Sequence, residues 1–177
     1  MCFQNTLLEE VADLQIASVS CPLGERAQLE DSVRTFWSTE LPEPGRSTAS
    51  ADGRVKIFSM APDQFFVFPA AAPQAAGAFV SETLGSAGYV TDQSDNWVGL
   101  RISGELALPA LERICPIDLD PSVFPTGAVA RTLMEHMGAI IHRESPERFL
   151  LLSASSSASS FLHAVATSLR NVDIPQE

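Results

Sequence analysis

The sequence predicts an α+β protein in which one unit is duplicated, giving mostly antiparallel sheets with helices packed on them. Short apolar strands alternate with amphipathic helices along the chain. The order strand, helix, hairpin, strand, helix occurs twice, and Ser18-Val19-Ser20 of the first copy aligns with Arg101-Ile102-Ser103 of the second. With 177 residues, 45% of them hydrophobic and 19% charged, the chain can bury a core.

Each copy opens with a strand and a helix. The predicted strands are residues 14–20 and 98–103. The helices that follow carry apolar residues every three or four positions, which places these residues on one face against the sheet. The stripes are Leu29, Val33 and Phe36 in the first copy and Leu108, Leu111 and Ile114 in the second.

A proline-containing exit and a hairpin come next in each copy. The exits are residues 41–45 and 124–127, and we expect 43–51 to be a surface loop. Asp52-Gly53 predicts a type I′ hairpin turn. In the second copy, strands 129–135 and 139–143 flank the turn 136–138. The dipeptides Pro62-Asp63 and Pro146-Glu147 then predict turns, each followed by a buried strand.

Each copy closes with a helix. Its apolar stripe consists of Phe79, Val80 and Leu84 in the first copy and of Phe161, Val165 and Leu169 in the second. The hydroxyls of residues 155–157 are expected to cap the last helix. We therefore predict one domain, residues 1–177, made of two pseudo-repeats at about 14–88 and 97–170, whose lobes can exchange or share strands. The alternative is a chance agreement between common α+β patterns.

The charge of the chain excludes several classes of function. A net charge of −11, with one lysine against ten arginines, argues against nucleic acid binding and against a basic membrane-binding face. No apolar run approaches the roughly 18–20 residues that span a bilayer. The first ten residues lack the basic region of a secretory signal. We expect a cytoplasmic protein.

Neither nucleophiles nor phosphate-binding loops form a recognisable motif. Ser103-Gly104 follows a strand, so Ser103 is expected to cap a helix beginning near Glu105; a nucleophilic role is the alternative. Three scattered cysteines make neither a disulfide framework nor a zinc site, and Cys21 and Cys115 are interpreted as small apolar residues rather than reactive thiols. No G-x-G-x-x-G and no Walker lysine is present.

Metal-binding patterns are equally absent from the sequence. His136, His142 and His163 lie too far apart in sequence for a common metal-binding motif. Asp118 and Asp120 could share a cation or a proton, but we expect them to form a turn before Pro121. The sequence thus predicts no catalytic, cofactor-binding or metal-binding residue. This profile is typical of a binding or scaffolding module.

Three large aromatic residues have two interpretations. Trp37, Trp97 and Phe124 are either core residues or anchors for a partner, because aromatic side chains are enriched in protein interfaces.

A family resemblance rests mainly on the second half of the chain. The residues that carry it are 91–97, 100–104, Ala107, Leu111, Cys115-Pro-Ile-Asp-Leu119, Pro121, Phe124, Gly127, 130–133 and 157–162. Weaker matches are Leu41-Pro42, Pro44-Gly45 and residues 60–66, where Ala61 and Phe65 replace the glycine and tryptophan common in the family. With this pattern, the chain resembles the gamma subunits of heterotetrameric sarcosine oxidase over residues 14–170.

The resemblance implies a fold, partners and a reaction. Such gamma subunits look like the folate-binding domain of the glycine-cleavage T-protein. The implied role is a non-catalytic subunit, bound most directly to the alpha subunit and assembled with beta and delta subunits. Those partners would carry FAD, FMN, NAD and tetrahydrofolate, and the complex would demethylate sarcosine oxidatively to glycine.

Three alternatives remain open at this point. One is the gamma subunit of a related complex that oxidises another N-methyl amine. The second is a minimal folate-dependent aminomethyltransferase or folate-binding module. The third is a stand-alone small-molecule sensor that dimerises through its sheet edges.

Overall fold

The structure, a computed structural model, describes residues 1–70 and 74–173 of the chain. It divides into two compact units. Unit 1 combines Met1–Ala12 with the chain from Asp95 onward, and unit 2 is the continuous segment Asp13–Ser94. Each unit contains one antiparallel sheet with helices on one of its faces. The expected α+β class with duplicated antiparallel sheets is confirmed.

Unit 2 has a five-stranded sheet and two helices. Its strands are β3 (Ala17–Ser20), β4 (Ser47–Ala49), β5 (Val55–Ala61), β6 (Gln64–Pro69) and β7 (Tyr89–Asp92), in the order β4-β5-β6-β3-β7. Its helices are α1 (Arg26–Trp37) and α2 (Ala76–Leu84). Both helices bury residues four positions apart, so each packs one apolar stripe on the sheet.

Unit 1 has a six-stranded sheet and two helices. Its strands are β1 (Cys2–Phe3), β2 (Thr6–Val11), β8 (Trp97–Ser103), β9 (Val129–Met134), β10 (Met137–Ser145) and β11 (Arg148–Ala154), in the order β1-β2-β8-β11-β10-β9. Its helices are α3 (Ala107–Glu112) and α4 (Ala158–Val172). They are joined where the buried Ser168 hydroxyl donates to the carbonyl of Ala110 at 2.6 Å.

The strand register is the same in the two sheets. Val19 lies opposite Phe65 in unit 2, and Ile102 lies opposite Phe149 in unit 1. In both sheets a register shift also precedes the proline-acid turn, between Ser59 and Ala61 and between positions 143 and 145. The aligned residues therefore occupy the same positions in the two sheets.

The strand that precedes each repeat in the chain belongs to the sheet of the other repeat. Strand β2 precedes β3 in the chain but pairs with β8 of unit 1, whereas β7 precedes β8 in the chain but pairs with β3 of unit 2. Leu100 lies opposite Glu10, and Ala17 lies opposite Asp92. Strands β2 and β7 are thus exchanged between the repeats.

Several boundaries and buried positions differ from the expectations. The strand expected at 14–20 is formed only from Ala17 to Ser20. On α1, Phe36 is 61% exposed and Trp37 is buried in its place, because Trp37 follows Val33 at the helical spacing of four. The expected loop 43–51 contains β4, and the unremarkable residues before Leu14 contain β2.

The type I′ turn is found in the second hairpin and not in the first, where it was expected. The Asp52-Gly53 hairpin lies where expected, but only Gly53 has a positive φ, so the turn is not type I′. The second hairpin turns at Glu135-His136 rather than at 136–138, and both residues have positive φ, at 45° and 69°. The type I′ geometry is therefore built there from two residues other than glycine.

Neither expected serine cap forms. Helix α3 begins at Ala107 rather than near Glu105, and its N-cap position is Leu106, so Ser103 lies too far upstream to cap it. Ser157 occupies the N-cap position of α4, but its hydroxyl makes no capping hydrogen bond, because residues 155–157 form a 3-10 turn that leads into the helix. Among the described residues, no helix has both the length and the apolar character needed to cross a bilayer.

Candidate functional site

Ser103 is held in a turn whose essential residue is the glycine beside it. Gly104 has a φ of +125°, and a Cβ there would overlap the carbonyl oxygen of Asn5 and lie 2.7 Å from the Cα of Thr6. The Leu106 N–H donates to the buried Thr6 hydroxyl at 2.9 Å. The Ser-Gly pair therefore lets β2 pass close to the start of α3.

The thiols considered as nucleophiles are held in their neutral form. Burial, with the nearby Asp63 carboxylate, raises the pKa of the Cys21 thiol. Burial also raises the pKa of Cys115, which lies in the core of unit 1. Since the thiolate is the nucleophile, both shifts oppose reactivity.

The three histidines are not brought together into a metal site. His136 and His163 are exposed, whereas His142 is buried in β10. No group of three or more potential His, Cys, Asp or Glu metal ligands occurs within residues 1–70 and 74–173.

The two aspartates after Cys115 form the turn predicted for them. The Asp118 carboxylate accepts from the Asp120 N–H at 2.9 Å, and Asp120 accepts from the Ser122 N–H at 2.8 Å. Hydrogen bonds from the hydroxyl and N–H of Ser122 hold the pKa of Asp120 below its usual range. The two carboxylates therefore stabilise the backbone of the loop.

A buried arginine that carries no sequence motif organises the same loop. Arg143 is 2% exposed, and it donates to the carbonyls of Leu119 and Phe124 at 2.9 Å and of Pro146 at 2.7 Å. Its guanidinium lies 5.1 Å from the ring centroid of Phe149. Arg143 thus fixes the segment after Cys115 to the sheet. The sequence signal was only an arginine at the end of the apolar run of β10.

The three aromatic candidates divide into different environments. Phe124 is buried in the core of unit 1, and Trp97 is half-buried at the start of β8. Trp37 is buried in the core of unit 2. Its indole Nε1, however, has no hydrogen-bond partner in the described part of the chain.

Trp37 also lines a groove between the end of α1, the β4–β5 turn and α2. The groove measures about 370 Å³ and is lined by Phe36, Trp37, Ser38, Ser50, Ala51, Asp52, Arg54, Val55, Phe79 and Thr83. Two phenylalanines and the indole form its aromatic part. We call it the aromatic groove.

Unit 1 has a groove at the corresponding place. It lies between the end of α3, the β9–β10 turn and α4, and it measures about 490 Å³. Its lining includes Arg113, Glu135, His163, Thr167 and Asn171 around Met137 and Ile114. We call it the polar groove. The two grooves are therefore similar in position and different in chemistry.

Two curated relatives are similar to the chain in sequence, whereas no family model matches it. The sarcosine oxidase gamma subunit of Arthrobacter sp is 27% identical over 114 residues, which cover 64% of this chain and 56% of that protein. The gamma subunit of Corynebacterium sp. (strain P-1) is 24% identical over 125 residues, which cover 71% and 62%. The matches thus span about three fifths of the curated relatives.

Solved structures share the fold. A chain of the heterotetrameric sarcosine oxidase from Corynebacterium sp. U-96, in complex with pyrrole 2-carboxylate, superposes with a TM-score of 0.84 at 21% identity, covering 100% of this chain and 90% of that chain. The glycine cleavage system aminomethyltransferase T from Bartonella henselae gives a TM-score of 0.64 at 14% identity, covering 91% and 45%.

These comparisons confirm the resemblance to sarcosine oxidase gamma subunits. They also confirm the expected likeness of the fold to the glycine-cleavage T-protein. The chain is similar in sequence to two sarcosine oxidase gamma subunits and in fold to a chain of a heterotetrameric sarcosine oxidase.

Proposed function

We propose that this chain is the structural gamma subunit of a heterotetrameric sarcosine oxidase. The main support is the fold, which matches a chain of such a heterotetramer along the whole length of this one. The sequence similarity to two gamma subunits supports the same role. In this proposal residues 1–177 act as one domain whose function is to hold catalytic partners.

The partners in this proposal are alpha, beta and delta subunits, with alpha in direct contact. They carry FAD, FMN, NAD and tetrahydrofolate, and together they demethylate sarcosine oxidatively to glycine in the cytoplasm. This chain supplies no catalytic, cofactor-binding or metal-binding residue. The hydrogen bonds of Asp118 and Asp120 to backbone N–H groups support a structural use of these polar side chains.

Purification with and without partners tests the role. The isolated chain should show no flavin absorbance and no sarcosine turnover. Coexpression with the alpha, beta and delta chains of its source should give one complex that contains all four. Turnover by the isolated chain, or its absence from the purified complex, would contradict the proposal. A panel of N-methyl amines given to the complex distinguishes sarcosine from a related substrate.

A folate-binding module is the second candidate, because the fold also matches an aminomethyltransferase. Calorimetric titration of the isolated chain with tetrahydrofolate separates the two roles. We expect no heat of binding, whereas micromolar affinity would favour the second candidate. Size-exclusion chromatography of the same sample tests the remaining alternative, a stand-alone homodimer.

A further inference from the structure

The hairpin of β1 and β2 is joined covalently to one unit and paired with the other. Residues 1–12 belong to unit 1, but the chain continues from them into unit 2 at Asp13. Within unit 1, β1 pairs with β2, and β2 pairs with β8 over five residues. We call residues 1–12 the β1–β2 hairpin. Its sheet and the chain that follows it therefore lie in different units.

The contacts that hold the β1–β2 hairpin are made with unit 1. Its Phe3 and Leu8 side chains are buried in the core of that unit. Its Thr6 hydroxyl accepts from the Leu106 N–H at 2.9 Å, and its backbone passes close to Gly104. A second copy of the chain has the same unit 1 and can offer the same contacts. This is the condition under which two copies of a protein exchange a segment.

The joint between the hairpin and unit 2 is short. From Ile16 onward the chain is held in unit 2, because the Ile16 N–H donates to Ser94 Oγ at 3.1 Å and the Ile16 carbonyl accepts from the Gln93 N–H at 2.8 Å. Ala12 and Asp13, which precede it, are exposed. A change in the direction of the hairpin therefore has to occur in the few residues before Ile16.

These few residues, 12–15, are called the hinge, and they include one in an unfavourable backbone conformation. Asp13 has a φ of +52°, in the left-handed region that costs free energy for a residue with a Cβ. An extended hinge would not need this conformation. Short hinges under strain favour the exchange of segments between copies, because the exchanged form releases the strain. The closed monomer therefore carries a cost at Asp13 that an open form does not.

The packing of the hairpin against unit 1 becomes looser toward the hinge. Thr6 and Leu8 are each 1% exposed. The three residues of β2 nearer the hinge, Glu9, Glu10 and Val11, are not buried. A cavity of about 360 Å³ lies between β2, β8 and the first turn of α4. Because fewer contacts have to be broken there, local opening of β2 can begin at its hinge end.

We propose that two free copies of the chain exchange their β1–β2 hairpins, so that each hairpin completes the six-stranded sheet of the other copy. The exchanged dimer keeps the strand pairs and core contacts of the monomer. Its dissociation constant is therefore set by the effective concentration of a hairpin tethered to its own sheet, about 1 mM for a short linker. The inference goes beyond the proposed function and does not depend on it, since it concerns the chain without other subunits.

A pair of cysteines across β2 and β8 tests the exchange. Leu7 lies opposite Ser103, so Leu7→Cys with Ser103→Cys can form a disulfide in the monomer and in the exchanged dimer. Cys2→Ser and Cys21→Ser remove the accessible native thiols. The new disulfide lies within one chain in the monomer and between two chains in the dimer. Oxidation of the isolated chain at about 1 mM should give a covalent dimer on a denaturing gel, and oxidation after about 100-fold dilution should give a monomer.

The matched control places the cysteines at the equivalent pair of unit 2. Tyr89 lies opposite Ser20, as Leu7 lies opposite Ser103. Both strands of this pair belong to the unbroken segment 13–94, so Tyr89→Cys with Ser20→Cys should form its disulfide within one chain at every concentration. A dimer in which both pairs are linked within single chains would be an association of closed monomers. That result would overturn the proposal.

Hinge variants should move the equilibrium in opposite directions. Asp13→Pro cannot adopt a positive φ, because the ring fixes φ at about −65°, so it should lower the dissociation constant of the dimer at least 10-fold. Asp13→Gly adopts the closed conformation without strain and should raise the constant several-fold. Gln4→Gly relieves a φ of +39° inside the hairpin rather than in the hinge, so it should leave the constant within about 2-fold. Sedimentation equilibrium measures all three.

Each outcome supports or overturns the exchange. If the wild-type chain and Asp13→Pro both remain monomeric near 1 mM, the proposal is wrong. If Asp13→Pro does not fold, the β2–β8 disulfide of the chain with the native hinge decides alone. A disulfide between chains supports the exchange whether or not the chain joins the other oxidase subunits, so failure of the proposed function is read separately, from coexpression. A homodimer that persists at micromolar concentration with its β2–β8 disulfide within one chain is the stand-alone dimer, and it contradicts the exchange.

Discussion

Strand β2 meets the turn before α3 through Gly104 and the hydroxyl of Thr6, whereas strand β7 meets the start of α2 through Gly77 and the carboxylate of Asp92. In unit 1 the Leu106 N–H donates to Thr6 at 2.9 Å, and in unit 2 the Gly77 N–H donates to Asp92 at 2.6 Å. Each exchanged strand is therefore fastened to a helix start by a glycine and a side-chain oxygen. The oxygen is neutral and buried in one unit and ionised and exposed in the other.

The comparison shows that the two contacts share one steric requirement but differ in the charge of the acceptor. Close approach of a strand to a helix start requires a residue without a Cβ in both units. The acceptor can be either a hydroxyl or a carboxylate, because both accept from a backbone N–H. Substitutions at the four positions should therefore have graded effects, the largest where backbone overlaps backbone.

Gly104→Ala should have the largest effect. A Cβ at a φ of +125° is strained, and here it would also overlap the backbone of Asn5 and Thr6. The strain and the overlap together should lower the free energy of unfolding by about 3 kcal/mol or more. Urea denaturation gives the total, and hydrogen exchange of the β8 amides assigns the loss to unit 1.

Gly53→Ala is the matched control for Gly104→Ala. Its φ is +71°, but no heavy atom lies within 4 Å of the added Cβ, so only the backbone strain of about 1 kcal/mol remains. Equal losses in the two variants would show that the approach of β2 to Gly104 is not tight.

Thr6→Val should have the next largest effect. It keeps the shape of the side chain but leaves the Leu106 N–H without an acceptor, which costs about 1–2 kcal/mol. The loss should be the same at every pH from 3 to 7, because the hydroxyl does not titrate in this range. Thr6→Ser retains the hydroxyl and should recover most of the loss. A pH-dependent loss would contradict the neutral contact.

Gly77→Ala should be milder than Gly104→Ala. Its added Cβ would lie 2.8 Å from Asp92 Cβ and 3.0 Å from Asp92 N, so β7 must shift slightly. Alanine in place of glycine favours the helix by about 1 kcal/mol, which offsets part of the clash. A net loss of about 1 kcal/mol is expected, measured by hydrogen exchange of α2 and β7. A loss as large as that of Gly104→Ala would remove the distinction between the units.

The sequence predicted the parts of this architecture that repeat. The proline-acid turns and the alignment of Val19 with Ile102 follow from apolar patterns, which survive in both copies. Strand β2 was missed because just two of its residues, Thr6 and Leu8, are fully buried. An alternation of buried and exposed residues as short as this is also common in loops. Its pairing with a strand some ninety positions later leaves no local signal.

The functional features were less accessible to sequence reasoning. The helical period alone placed Phe36 in the stripe, but the actual direction of α1 buries Trp37 and exposes Phe36. The aromatic groove joins the end of α1 to the β4–β5 turn and α2, and only tertiary structure brings these together. Ser103-Gly104 was recognised as the link between a strand and a helix, but the close approach of β2 to Gly104, which leaves no room for a side chain, was not.

Asp92→Asn should have the smallest effect and the only marked pH dependence. Burial alone would raise the pKa of Asp92, but hydrogen bonds from Gly77 and Ser94 outweigh it and hold the pKa below its usual range. A carboxyl whose pKa is lowered by folding stabilises the fold above its unfolded pKa, and this contribution is lost as the pH falls through the folded pKa. Wild-type protection of α2 should therefore decrease as the pH is lowered from 5 to 3.

In Asp92→Asn the hydrogen-exchange protection of α2 should be lower at pH 7 by less than about 1 kcal/mol. It should no longer decrease as the pH is lowered from 5 to 3. Asp95→Asn removes the same charge three positions later without touching Gly77, so it should keep the wild-type pH profile of α2. The β8 amides of unit 1, where a hydroxyl makes the equivalent contact, should be unaffected by either change. If Asp92→Asn left the acid profile of α2 intact, the carboxylate would not be the group that fastens β7, and the comparison would rest on Gly77 alone.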